Sequence, residues 1–244
     1  MLRKIILISA VVALVMTTGN ARGGNGNQED SDITNHGGKS HSMHQGGKNR
    51  GGQSHIGMSP ETTNLIADIP LSELTDTQKE NLTFMIEEEK VARDVYKYLY
   101  ETHGTRIFGN IARAEQKHMD ALEVLLDRYE LEAPLTLGEV GVFENDELQE
   151  LYDTLIAKGQ TSVLDALRVG VAIEEVDIAD LEDILNDGVP EDFTLIYENL
   201  VKGSYNHLNA FNRQIDIGIN TQRIVYEKTY TLVWKSDIWF IPII

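Results

Sequence analysis

The sequence predicts an all-α protein organised as a four-helix bundle, and three observations predict it. Apolar residues between Asp76 and Ile215 recur at the three- and four-residue spacing of amphipathic helices. Capping residues, glycines and prolines punctuate these stretches at helix-like lengths. In each of the four longest, a carboxylate or imidazole interrupts the apolar stripe at mid-length.

Thr75 with Gln78 fits a capping box, so a first helix runs from about Asp76 to Thr102 and ends at Gly104. A second spans about Ile107 to Tyr129 and stops before Pro134. A short one follows from about Glu147 to Lys158, ended by Gly159. Ser162 caps a third long helix reaching Leu185, broken by Gly188-Val189-Pro190. Asp192 caps a fourth, from Phe193 to about Ile215. The short helix therefore lies in a crossover between the second and third long helices. From Asp216 the chain becomes rich in Val, Ile, Tyr, Thr and Trp, which predicts an extended apolar tail over 216–244 of unassigned role.

Two segments precede the bundle, which occupies 61–215 with helical structure from near Leu65. Arg3 and Lys4 lead an apolar run from Ile5 to Met16, and small residues then reach Ala21, so 1–21 reads as a signal peptide. A dozen apolar residues fall short of the roughly 20 that cross a bilayer, so export to the periplasm or the medium is expected and no membrane span remains after cleavage. Residues 22–60 are rich in Gly, Asn, Ser, Gln and His with scarcely an aliphatic residue, the composition of a flexible linker. His36, His41, His44 and His55 fall there at irregular spacing and are left out of the site.

The net charge is −18, and residues 1–60 hold six basic against three acidic residues, so the remainder carries −21. Such a surface repels nucleic acid and attracts cations, although its simplest role is solubility. The absence of cysteine excludes disulfides, thiolate zinc sites and iron–sulfur centres. Any metal must be held by carboxylate and imidazole.

Successive helical residues stand about 100° apart, which identifies the polar residues that face inward. In the second helix Glu115 and His118, three apart, share the face of Phe108, Ile111, Met119, Leu122 and Leu126. In the third, Glu174 is centred among Leu167, Val171, Ile178, Leu181 and Leu185, whereas Glu175 points aside. In the fourth, His207 lies among Ile196, Leu200, Ala210 and Phe211, and Gly203 one turn earlier leaves room beside it. In the first, Glu87 faces outward, and periodicity admits either Glu88 or Glu89 to the core. Carboxylates and imidazoles converging in an apolar interior need positive charge, which one or two metal ions supply.

The segments Phe84-Met85-Ile86-Glu87-Glu88-Glu89-Lys90-Val91-Ala92-Arg93-Asp94-Val95-Tyr96, Ala114-Glu115-Gln116-Lys117-His118-Met119, Ile173-Glu174-Glu175-Val176-Asp177-Ile178 and Gly203-Ser204-Tyr205-Asn206-His207-Leu208 resemble the ferritin-like family known as domain of unknown function 2202. The resemblance covers about Leu82 to Ile215 and implies a ferritin-like bundle. The first segment also resembles the Glu-x-x-Ala-Arg-x-x-Tyr helix of rubrerythrins, which matches when Glu89 is the ligand and Tyr96 hydrogen-bonds behind it. The implied metal set is Glu89, Glu115, His118, Glu174 and His207, with Glu88 and Asp177 as weaker candidates. The rubrerythrin and ferritin pattern would place Glu three residues before His207, where this chain has Ser204. Either Asp177 substitutes, or the site holds one ion, or two ions with open positions.

The resemblance implies non-haem iron or manganese, without haem, reacting with small oxidants. Iron oxidation or peroxide removal is the expected activity. A non-catalytic metal-binding or sensing module, and a metal-free structural or interaction domain, are the alternatives. The linker and tail argue neither for nor against assembly, and a homodimer stays open.

Overall fold

The computed structural model describes residues 65–236. The segments expected to be a signal peptide and a linker, with the four histidines of the latter, and the last eight residues lie outside the described residues. Those described are helical and without strands: α1 (Asp76–His103), α2 (Arg106–Arg128), α3 (Asp146–Gly159), α4 (Val163–Asp187) and α5 (Glu191–Ser236), with a single 3-10 turn at Leu135–Gly138 before α3. The all-α bundle expected from periodicity is the architecture observed. None of these helices is long and apolar enough to cross a membrane.

Local chemistry sets most of the boundaries. Thr75 and Gln78 form the reciprocal capping box, with Thr75 N–H donating to Gln78 Oε1 at 2.9 Å and Gln78 N–H to Thr75 Oγ1 at 3.2 Å. Gly104 ends α1 at φ 65°, a left-handed conformation that glycine adopts without steric cost. Asn145 caps α3, and Ser162 caps α4 by accepting from Asp165 N–H at 3.0 Å.

The helices pair as two hairpins, α1 with α2 and α4 with α5, and α3 packs against both α1 and α4. Two apolar clusters fill the interior. One contains Val95, Leu99, Phe108, Leu155 and Phe211, and the other contains Met85, Met119, Leu122, Leu181 and Leu200. Along α1, α2 and α5, Glu89, Glu115, His118 and His207 fall between them, while on α4 Glu174 lies beside Ile173 and Val176 of the first. The apolar clusters stabilise the bundle, and the polar layer is set where they part.

Three expectations are corrected. The segment from Asp216 is not extended: α5 continues helical to Ser236. Strand propensity is a weak prior, whereas extending an existing helix adds a hydrogen bond for each residue fixed, and no proline intervenes between Pro190 and Pro242. Glu87 does not face solvent but is buried, its Oε1 accepting from Glu144 N–H at 2.8 Å. Asp192 does not stand outside the helix as its cap. It lies in the first turn of α5, buried, and accepts from Arg128 Nε at 2.8 Å and the Tyr129 hydroxyl at 2.9 Å, docking α5 on α2.

The burial of Glu87 follows from the crossover, which covers the face of α1 that periodicity leaves outward. Lys90 and Asp94 on that face are fully buried and paired at 3.0 Å. Lys90 Nζ donates to Val142 O at 2.8 Å and stands 3.9 Å from the Phe143 ring centre, while Asp94 accepts from Gly141 N–H at 3.0 Å. Arg93 completes the clamp with Nε 2.8 Å from Asp94 and Nη1 2.8 Å from Gln116 Oε1. The charged motif on α1 thus serves two faces, one toward the crossover and one toward the core.

Candidate metal centre

Four helices each deliver side chains to one level of the core. Glu89 comes from α1, Glu115 and His118 from α2, Glu174 from α4 and His207 from α5. The three carboxylates are 1–2% exposed. Nδ1 of His118 lies 3.1 Å from Glu89 Oε2 and 2.8 Å from Glu115 Oε2. Nδ1 of His207 lies 2.9 Å from Glu115 Oε1 and 3.4 Å from Glu174 Oε2. Two groups able to hold a metal ion result, Glu89–Glu115–His118 and Glu115–Glu174–His207, each with donor atoms within 4.8 Å of one another. Glu115 belongs to both.

The donor set fits metal ions on three counts. Ligand atoms about 2.1 Å from an ion in near-octahedral geometry stand about 3 Å from one another, the separation seen here. Glu89 Oε1, Glu115 Oε1 and His207 Nδ1 are buried without a hydrogen-bond partner, so the 2.9 Å approach of the last two lacks hydrogen-bond alignment. Each such atom costs about 1–3 kcal/mol when left unsatisfied. The two imidazoles stack with centres 5.5 Å apart, a contact that favours neutral rings over a pair of cations.

Proton affinities express the same crowding. Burial raises Glu89 against the opposing pull of His118. Burial and the charge of Glu115 carry Glu174 to about 7. Burial would raise Glu115 too, but His118 and then His207 outweigh it and hold it at about 2. Burial pulls both imidazoles down, yet Glu89 and Glu115 hold His118 well above its ordinary value, and Glu115 and Glu174 carry His207 to about 10. Without a cation, protons neutralise the layer.

The residues behind the donors are ordered as well. The Tyr96 hydroxyl donates to Glu174 Oε1 at 2.6 Å, the position expected of a group behind the ligands. Ser204, fully buried, donates to Asp177 and stands 3.0 Å from Leu200 O. Glu88 and Asp177 enter neither donor group. Both line a cavity of about 20 Å³ between α1, α3 and α4, whose other walls include Val91, Ala92, Leu151 and Leu155. Gly203 makes room for His118, not for His207: a Cβ there would stand 2.5 Å from His118 Nε2. Sequence periodicity could not show this, because it reports faces of one helix and not the neighbour met across them.

Residues 78–234 match the family described as uncharacterized protein domain DUF2202. The chain belongs to that family. The matched region extends along α5 past Ile215, where the sequence reading ends the bundle, so most of the helical extension lies within the family domain. This DUF2202 member is 47% identical over 174 residues to the uncharacterized protein MJ0754 of Methanocaldococcus jannaschii, covering 70% of this chain and 94% of that one. The crystal structure of the hypothetical protein MJ0754 superposes with a TM-score of 0.60, covering 61% of this chain and 85% of that one.

Proposed function

We propose that this DUF2202 protein is an exported ferritin-like protein that holds two non-haem iron or manganese ions in its core and uses them in iron oxidation or peroxide removal. The observation that carries this reading is the sharing of Glu115, whose two oxygens face two separate imidazoles at 2.8 and 2.9 Å. A carboxylate divided in this way would help to hold a pair of ions, and Glu/His donors suit iron and manganese. When bound, such ions supply the redox chemistry that a small oxidant requires.

The chain's own residues account for the rest. Glu89 with His118, and Glu174 with His207, complete the two positions. Tyr96 fixes Glu174, and the apolar clusters on either side exclude bulk water. The cavity of about 20 Å³ beside the layer has room for one water-sized molecule, which favours dioxygen or peroxide over an organic substrate. Export rests on Arg3, Lys4 and the apolar run that follows, and the mature chain should begin at Arg22 when its N-terminus is sequenced.

Anaerobic addition of ferrous iron, followed by air or peroxide, should produce a ligand-to-metal absorption band and consume oxidant. Absence of both overturns the catalytic reading. Metal retained through purification without oxidant consumption would instead identify a binding or sensing module. The proton affinities favour one further reading, a metal-free network in which imidazolium and carboxylate neutralise each other. Glu115→Ala and His207→Ala variants that fold normally with unchanged metal content would establish that network.

A further inference from the structure

Asp177 is a buried carboxylate that neither donor group uses. It lies one turn beyond Glu174 on the same face of α4, as Ser204 lies one turn before His207 on α5. It is 6% exposed, and the Ser204 hydroxyl engages only Oδ2. Ser204 has one hydrogen and two acceptors within reach, Asp177 and Leu200 O. A charged acceptor competes better, so the hydrogen orders the carboxylate. Oδ1 is buried with no hydrogen-bond partner. After burial itself, the charges that act most on Asp177 are Glu89 and then Glu174, one from each donor group. A buried carboxylate under the charge of two others, with one oxygen engaged and the other open, is costly unless a cation shares its space.

We propose that Asp177 is a fourth carboxylate ligand of the centre, carried by α4 and oriented by Ser204. The proposal rests on the two-ion reading of the centre. Charge supports it: Glu89, Glu115 and Glu174 carry three negative charges toward two divalent ions, and Asp177 supplies the fourth. The carboxylate reaches the layer from α4, where the ferritin pattern would bring one from α5. A single hydroxyl at position 204 leaves the space that a longer carboxylate on α5 would fill.

The test is titration of the native protein, Asp177→Asn and Ser204→Ala with manganese(II), read by calorimetry and elemental analysis. Asparagine keeps the volume and an oxygen that accepts from Ser204, but not the charge. The native protein should take up two ions per chain. In Asp177→Asn the second ion should bind at least about 100-fold more weakly, and in Ser204→Ala about 10-fold, the range seen when groups supporting a ligand are removed. Metal-free Asp177→Asn should melt no lower than the native chain. Two ions bound by Asp177→Asn at native affinity would overturn the proposal and leave the two-ion reading intact. A lower melting temperature of metal-free Asp177→Asn, or a greater loss in Ser204→Ala than in Asp177→Asn, would also overturn it. Fewer than two ions on the native protein would defeat the two-ion reading itself.

Discussion

Gly203 on α5 lies against the imidazole of His118 on α2, so closely that a Cβ would come within 2.5 Å of Nε2 and 2.8 Å of Cε1. The glycine is helical and needs no unusual backbone angle. It is there because the ring occupies its side-chain space. Gly203→Ala should gain about 1 kcal/mol in helix propensity and lose about 1–3 kcal/mol to overpacking. Stability should therefore fall by no more than about 2 kcal/mol, while displacement of His118 lowers manganese(II) affinity by about 10-fold, the loss when a ligand's support is disturbed. Gly218→Ala, with nothing within 4 Å of its Cβ, should raise stability by up to about 1 kcal/mol and leave affinity unchanged. Thermal melts paired with calorimetric titration separate the two effects.

Tyr96→Phe removes the 2.6 Å hydrogen bond to Glu174 and keeps the ring against Phe108 and Phe211. A hydrogen bond to a charged acceptor contributes about 1.5–3 kcal/mol. Glu174 should then hold its proton to still higher pH than about 7 in the metal-free protein, since the Tyr96 bond opposes protonation. Carboxyl infrared absorption followed against pH reports the shift. An unchanged titration of Glu174 would show that the hydroxyl leaves the carboxylate's proton affinity untouched.

Asp94 pairs with both Lys90 and Arg93 beneath the crossover. Asp94→Ala removes the carboxylate that both cations share and deprives Gly141 N–H of its acceptor. Removing one partner of a buried charge pair costs about 3–5 kcal/mol, and that loss should appear in denaturant unfolding. Hydrogen exchange should accelerate first in residues 139–145. A uniform acceleration along the chain would mean that the clamp does not act locally on the crossover.

The metal-free protein should lose stability as pH rises from about 5 to 10. Glu174 is raised from 4.5 to about 7 and His207 from 6.5 to about 10, with His118 raised as well. These three groups therefore bind more protons in the folded state than in the unfolded chain across this window, and linkage makes their contribution to stability fall with pH. Glu115, held near 2, has the opposite sign only between about 2 and 4.5. Divalent metal competes with these protons, so the stabilisation it adds should grow with pH. Melting temperatures at pH 5, 7 and 9, with and without manganese(II), test both slopes.

Much of the bundle and of the donor layer was legible in the residues. Thr75, Gly104 and Ser162 act within a turn of themselves, and Glu115, His118, Glu174 and His207 stand out because each interrupts an apolar face on its own helix. Glu87 was misread because the crossover covers the face that periodicity leaves outward. Asp192 was misread because its partners, Arg128 and Tyr129, lie more than 60 residues away. The segment after Asp216 was misread because residue type weighed more heavily than continuation of a helix already formed.

The sequence by itself determined the helices, their inward faces and the chemical types available for a site, since these depend on spacing and on short-range hydrogen bonds. Tertiary structure alone decided that Glu115 is shared between two imidazoles, that Gly203 serves His118, and that Ser204 holds Asp177. Those relationships join different helices, and an ångström of shift between helices makes or breaks them, a quantity that no periodicity contains.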